Sequence, residues 1–189
     1  MKKMMMVLAV TLATSASFAT QQRVCGSGKA FQVSQQALQV LTGINVELEE
    51  INTSGTAEQK QAVLKNLKAL LNSELGLAIE IATANKEGAR AIAQSESDAV
   101  VKALANVMSL ATEMHLLTFE GQSAKLEGKA DADAKLKRAE EIKVAGTAEA
   151  ARLQSLGAAA VNQKANEVAN LLDIEICNRV SESTAKKLK

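Results

Sequence analysis

Two cysteines, Cys25 and Cys177, stand near opposite ends of this 189-residue chain. An even count fits a disulfide in an oxidising compartment. Closed within the chain, the bond spans 152 residues. In the chain-entropy model it would stabilise by about 5 kcal/mol, less any native strain. A bond between subunits is the alternative. His115 is the only histidine. Its neighbours Glu113 and Glu120 do not form a metal-ligand spacing with it, and it reads as a solvent-facing helix residue. Asp131 and Asp133 open like a calcium loop. The glycine due at the sixth position is Leu136, though, and lysines replace the chelating oxygens, so a charged helix face is the reading.

Other patterns lead to the same place. Gly26, Ser27, Gly28 and Lys29 echo a phosphate-binding loop, but Arg23 and Ala30 occupy the positions that need glycine and Ser or Thr. A Ser-His-Asp arrangement would have to recruit His115 from a regular helix. Asn52, Thr53 and Ser54 form a glycosylation sequon, relevant in a eukaryotic secretory route. No catalytic, cofactor-binding or metal residue is assigned, no cofactor is expected, and the chain reads as a non-enzyme.

The elements that would position these residues are helical. There is no proline in the chain. Residues 56–119 carry apolar side chains three and four apart: Leu64, Leu67, Leu71, Leu75, Ala78 and Ala82, then Val100, Ala103, Val107, Leu110, Met114 and Leu117. That period belongs to an amphipathic helix or a coiled-coil seam. Unbroken, it would be a rod of roughly 90 Å. A shorter first helix carries Ala37, Leu41, Ile44, Leu48 and Ile51. It stops at Gly55, which is expected to take a left-handed cap. Thr56 and Gln59 then form a capping-box pattern for the next helix.

The phrase Glu49, Glu50, Ile51 and, three residues on, Gly55, Thr56, Ala57, Glu58 recurs as Glu140, Glu141, Ile142 and Gly146, Thr147, Ala148, Glu149. A duplicated unit or convergent use of one stop-and-restart signal would each explain it. Gly88 is a weak break, since an interior glycine costs only about 1 kcal/mol. Gly121, with Gly128 close behind, is the best turn of the second half. Beyond it, pairs such as Asp131/Lys135 and Glu140/Lys143 suit a solvated helix. The last helix carries Leu153, Leu156, Val161, Ala165, Val168, Leu172 and Ile176.

Met1, Lys2 and Lys3, the apolar run 4–13, and Ser17, Phe18 and Ala19 read as a signal peptide. The domain reading is a signal peptide at 1–19, one elongated helical domain at 20–180, and a polar tail at 181–189. Removing the signal takes the basic count from 22 to 20 against 21 acids. No basic stripe remains for a phosphate backbone, so no nucleic-acid partner is expected. Hydrophobic residues make up 47% and aromatics only 2%, so the core must be built from small side chains and closely spaced helices.

The expected fold is all-α: an elongated antiparallel long-helix hairpin with a shorter first helix packed alongside. A compact four- or five-helix bundle is the alternative. The expected function is that of an exported, periplasmic or extracellular, non-enzymatic structural or interaction protein. Helix-mediated contacts with a protein partner or with itself would make it a cell-envelope, appendage (minor-pilin-like) or adhesin component. The alternatives are a membrane-active helical hairpin that meets a lipid surface, or a helical periplasmic chaperone. Leu116, Leu117 and Phe119, just before Gly121, are the expected contact tip.

Overall fold

The structure, a computed structural model, describes residues 29–188. The signal-peptide reading of 1–19 and Cys25 therefore lie outside the described residues. The fold is all-α. Its helices are α1 (Ala30–Ser54), α2 (Ala57–Leu71), α3 (Glu74–Ser95), α4 (Ala99–Leu126), α5 (Ala132–Ser155), α6 (Ala158–Arg179) and α7 (Glu182–Lys187).

Each boundary has a local cause. α1 ends at Gly55, which is extended (φ −73°, ψ 142°) and not left-handed as expected. Glycine is needed there for another reason: a Cβ would stand 2.6 Å from the Ile51 carbonyl oxygen. The capping box forms as expected. Gln59 N–H donates to Thr56 Oγ1 at 3.3 Å, and Thr56 N–H donates to Gln59 Oε1 at 2.8 Å.

The expected rod over 56–119 is instead broken twice. The first break is at Asn72 and Ser73, whose N–H groups donate to Ala69 O and Leu70 O. The Ser73 hydroxyl also reaches back to Leu70 O. The second is at residues 96–98, where Asp98 Oδ1 accepts from Val100 N and Val101 N at 2.9 and 3.2 Å. Side chains that bond nearby backbone compete with the helix and win where they cluster. Gly88, Gly121 and Gly146, by contrast, lie inside helices. The turn expected at Gly121 falls at Gly128 (φ 70°), where Lys129 N–H closes back on Ala124 O at 2.9 Å. That is the left-handed glycine termination of a Schellman motif.

α4 is the central helix, in contact with α1, α3, α5 and α6. α4 and α5 form an antiparallel pair, but it is not the expected long hairpin, whose first arm was to run unbroken over 56–119. The pair is closely packed: a Cβ on Gly121 would meet Leu136 Cγ at 2.7 Å, and Ala132, Ala139, Ile142 and Gly146 form the buried side of α5. α1 runs parallel to α4, because Asn45 Nδ2 donates to His115 O and Asn52 Nδ2 donates to Gln122 O. α3 and α6 are antiparallel, with Gly88 against Glu175 and Glu80 against Ser181 just past the end of α6. One core cluster joins α1, α3, α4 and α6 through Phe31, Ile81, Ile92, Leu104, Leu172 and Ile176. A second joins Leu41, Leu48, Leu67, Leu75, Ala82, Leu116 and Phe119. The four-helix grouping thus resembles the bundle alternative, with α5 added outside it.

The segment read as a polar tail is also structured. α7 packs on α3 through Glu80: Ser181 N–H donates to Oε1 at 2.6 Å and the Thr184 hydroxyl to Oε2 at 2.7 Å. Thr184 and Leu188 are buried. Serine as a helix cap and a distant carboxylate together recruit what looked like solvated chain.

Candidate functional site

The residues singled out for chemistry fall in separate places. His115 is not solvent-facing. It sits in the seam between α1 and α4, its Nδ1 3.4 Å from Thr42 Oγ1. The Thr42 hydroxyl proton is committed to Leu38 O at 2.7 Å, so the ring must be the donor to Thr42. Burial pulls the imidazole below its ordinary value. Asp131 stands just before α5 without a side-chain capping bond and pairs with Lys135 at 3.0 Å. Among the described residues, no three His, Cys, Asp or Glu side chains converge on a point that would hold a metal ion. Cys177 is buried in the last turns of α6.

The expected contact tip is not exposed as a unit. Leu116 and Phe119 are buried in the second core cluster, against side chains of α1, α2 and α3, and Leu117 is half-buried. They lie well inside α4, which runs on to Leu126. Their apolar bulk is explained by closing one end of the bundle. The turn was misplaced, and with it the tip.

Concave features among the described residues include the following two. A cavity of about 20 Å³ lies between Phe31, Leu104, Met108, Val168 and Ala169, with room for little more than one water. An open groove of about 360 Å³ runs between α3, α4 and α5, lined by Arg90, Gln94, Lys102, Asn106, Glu149 and Arg152. Its arginines are already engaged, Arg90 with Glu113 and Arg152 with Glu149, both at 2.8 Å.

The convex faces are more informative. On α1, Val40 and Val46 are 47% and 61% exposed. Between them, three residues from each, is Gly43, where a Cβ would meet nothing within 4 Å. The rest of this outward face is polar: Gln32, Gln36, Gln39, Glu47 and Glu50 are all exposed. On α2, Leu67 alone is buried, and Leu70 and Leu71 are 43% and 38% exposed. Val144 on α5 and Ile174 on α6 are exposed singly, which is ordinary for a protein surface. None of these convex positions stood out in the sequence. Gly43 was the available signal, as a glycine inside an otherwise regular seam.

Compared with protein-family models, curated proteins and solved structures, the chain matches none of them.

Proposed function

We propose that this is an exported, non-enzymatic protein that acts through helix-mediated contact, and that the outer face of α1 pairs with a second copy of the chain. The observation that carries this reading is Gly43. A glycine in an exposed helix interior costs about 1 kcal/mol relative to alanine. Among the described residues nothing requires it, because its φ is not positive and no neighbour crowds it. A requirement from outside remains, namely the close approach of another helix.

The flanking residues select the orientation. Antiparallel pairing about Gly43 sets Val40 opposite Val46 of the second copy. It also sets Gln39 opposite Glu47 and Gln36 opposite Glu50, so amides meet carboxylates along the edges. Parallel pairing would set Glu47 and Glu50 against themselves, which is unfavourable. A two-fold, self-complementary contact of this kind is the commonest way for a chain to pair. It is small, so the association is weak and depends on concentration.

The exported setting, as an envelope, appendage or adhesin component, belongs to the same proposal. It rests on the signal-like residues 1–19 and on an internal Cys25–Cys177 bond. Supporting that bond, Phe31 N–H donates to Asp173 Oδ1 at 3.0 Å. The start of α1 is thereby tied one helical turn from Cys177, about 6 Å along α6. From Lys29, which precedes α1, back to Cys25 an extended chain reaches up to about 14 Å.

Sedimentation equilibrium on exported protein, without reductant, tests the proposal. The wild type should show a monomer–dimer equilibrium and run as a fast monomer on a non-reducing denaturing gel. Gly43→Gln should be monomeric at the same concentrations and melt at a higher temperature, since glutamine is the better helix former by roughly 0.5–1 kcal/mol. A monomeric wild type throughout, or a Gly43→Gln variant that dimerises equally well, would overturn it.

A further inference from the structure

We infer that α2 is a hinged flap, opening as a unit from the bundle while the other long helices stay folded. This goes beyond the α1 contact and concerns a different element. Of the 15 residues of α2, Leu67 alone is buried. α5, which also lies outside the four-helix grouping, buries Ala132, Ala139, Ile142, Gly146 and Leu153. Val63 and Leu64 are half-buried, and Leu70 and Leu71 remain in solvent. Tertiary packing of an apolar face is what holds a helix of this length. By that measure α2 is the least anchored of the long helices.

Both ends of α2 are closed by its own residues and the corners beside it. At the start, the capping box joins Thr56 to Gln59. At the finish, the Asn72 side chain donates to Lys68 O at 3.1 Å, and the N–H groups of Asn72 and Ser73 donate to Ala69 O and Leu70 O. Among the described residues, α2 makes one hydrogen bond to another helix, from Lys60 Nζ to Asn52 O at 3.2 Å, and no ion pair. That bond only crosses the Gly55 corner. α7 is shorter, yet two bonds to Glu80 hold it. Lifting α2 therefore leaves the polar contacts of the bundle intact. The corners themselves, Gly55 on one side and Ser73 on the other, are where the backbone leaves the helical region. Hinges are built from a few such positions at element ends.

What the flap covers is apolar. Leu67, with Val63 beside it, belongs to the cluster that includes Leu48 of α1, Leu75 of α3, and Leu116 and Phe119 of α4. Opening uncovers the α2 side of that cluster, an apolar surface that the closed molecule does not present. Once detached, a helix of 15 residues is marginal in water. The open α2 thus loses its helical hydrogen bonds, and its amides exchange with solvent.

Native-state hydrogen exchange tests the inference, on exported protein without reductant and at a concentration below that of pairing through α1. Amides of residues 61–71 should exchange about a hundredfold or more faster than the buried amides of α3 and α4. They should share one opening with a small dependence on guanidinium, as a subglobal event exposes little surface. Leu67→Ala should speed exchange in α2 by about tenfold or more and leave α3 and α4 nearly unchanged. Limited trypsin digestion is a second readout: Lys65 and Lys68 should be cut before Lys137 and Lys143, which are also exposed but lie on α5. Protection of α2 equal to that of α4, or a Leu67→Ala variant that speeds exchange equally in every helix, would overturn the inference by making α2 part of the global unit. First cleavage in α5 with α2 intact would overturn it as well. Because Gly43 is untouched, these results are independent of dimerisation through α1.

Discussion

His115 and Glu80 respond to acid in separate ranges. Desolvation is the cause at His115: the folded protein holds the imidazole proton less readily than the unfolded chain does. The stability of a neutral ring in the α1–α4 seam is therefore fully present above about pH 6.5 and is lost as the pH falls through the lower folded value. At Glu80, burial raises the carboxyl value, but it is outweighed by the Ser181 N–H, the Thr184 and Ser181 hydroxyls and the Lys187 charge, so the net shift is downward. Its contribution to α7 docking is present above the ordinary carboxyl range, near 4.3, and disappears in stronger acid. Melting curves between pH 7.5 and 5 isolate the histidine. The wild type should lose stability across this window and His115→Gln should lose less; parallel profiles would remove His115 from the explanation. The sequence showed a lone histidine without metal partners. It did not show the burial, which comes from Thr42 and Asn45 on a helix some seventy residues away in the chain.

Among the helices, glycine and threonine show how one residue type takes different structural roles. Gly55 and Thr56 end one helix and cap the next, yet the repeated phrase at Gly146 and Thr147 lies inside α5. The difference was present in the sequence: the box residue Gln59 corresponds to Ala150, so Thr147 has no reciprocal partner and its hydroxyl bonds back to Lys143 O at 2.8 Å. Gly146 is meanwhile buried on the α4-facing side. The breaks at Asn72 and Asp98 were also written in local side-chain chemistry, but the continuing 3-4 apolar period concealed them. Gly88 and Gly121 are required by packing, since a Cβ would approach Glu175 Cβ and Leu136 Cγ at 2.7 Å each. Thermal unfolding of Gly88→Ala and Gly121→Ala should therefore show destabilisation of about 1–3 kcal/mol as the helices are forced apart. Gly43→Ala should instead gain about 1 kcal/mol. Equal effects at all three positions would contradict this division between inward and outward glycines.

For the whole molecule, helical class was legible because period is a local property, whereas the expected long hairpin gave way to breaks at residues 72–73 and 96–98. The joining of α1, α3, α4 and α6 into one core was not legible, because it depends on which small-residue faces meet. The proposed contact also belongs to this scale. Antiparallel pairing about Gly43 makes a distance prediction that no monomer and no parallel pair shares. Pulsed electron–electron resonance on protein spin-labelled singly at Gln32→Cys or Glu50→Cys, with the native cysteines left oxidised, measures it directly. From the helical rise, the label pairs should lie roughly 33 Å apart at position 32 and roughly 21 Å apart at position 50. Two short distances near 10 Å, as in a parallel pair, or no dipolar signal at concentrations where the protein sediments as a dimer, would contradict α1 as the contact helix.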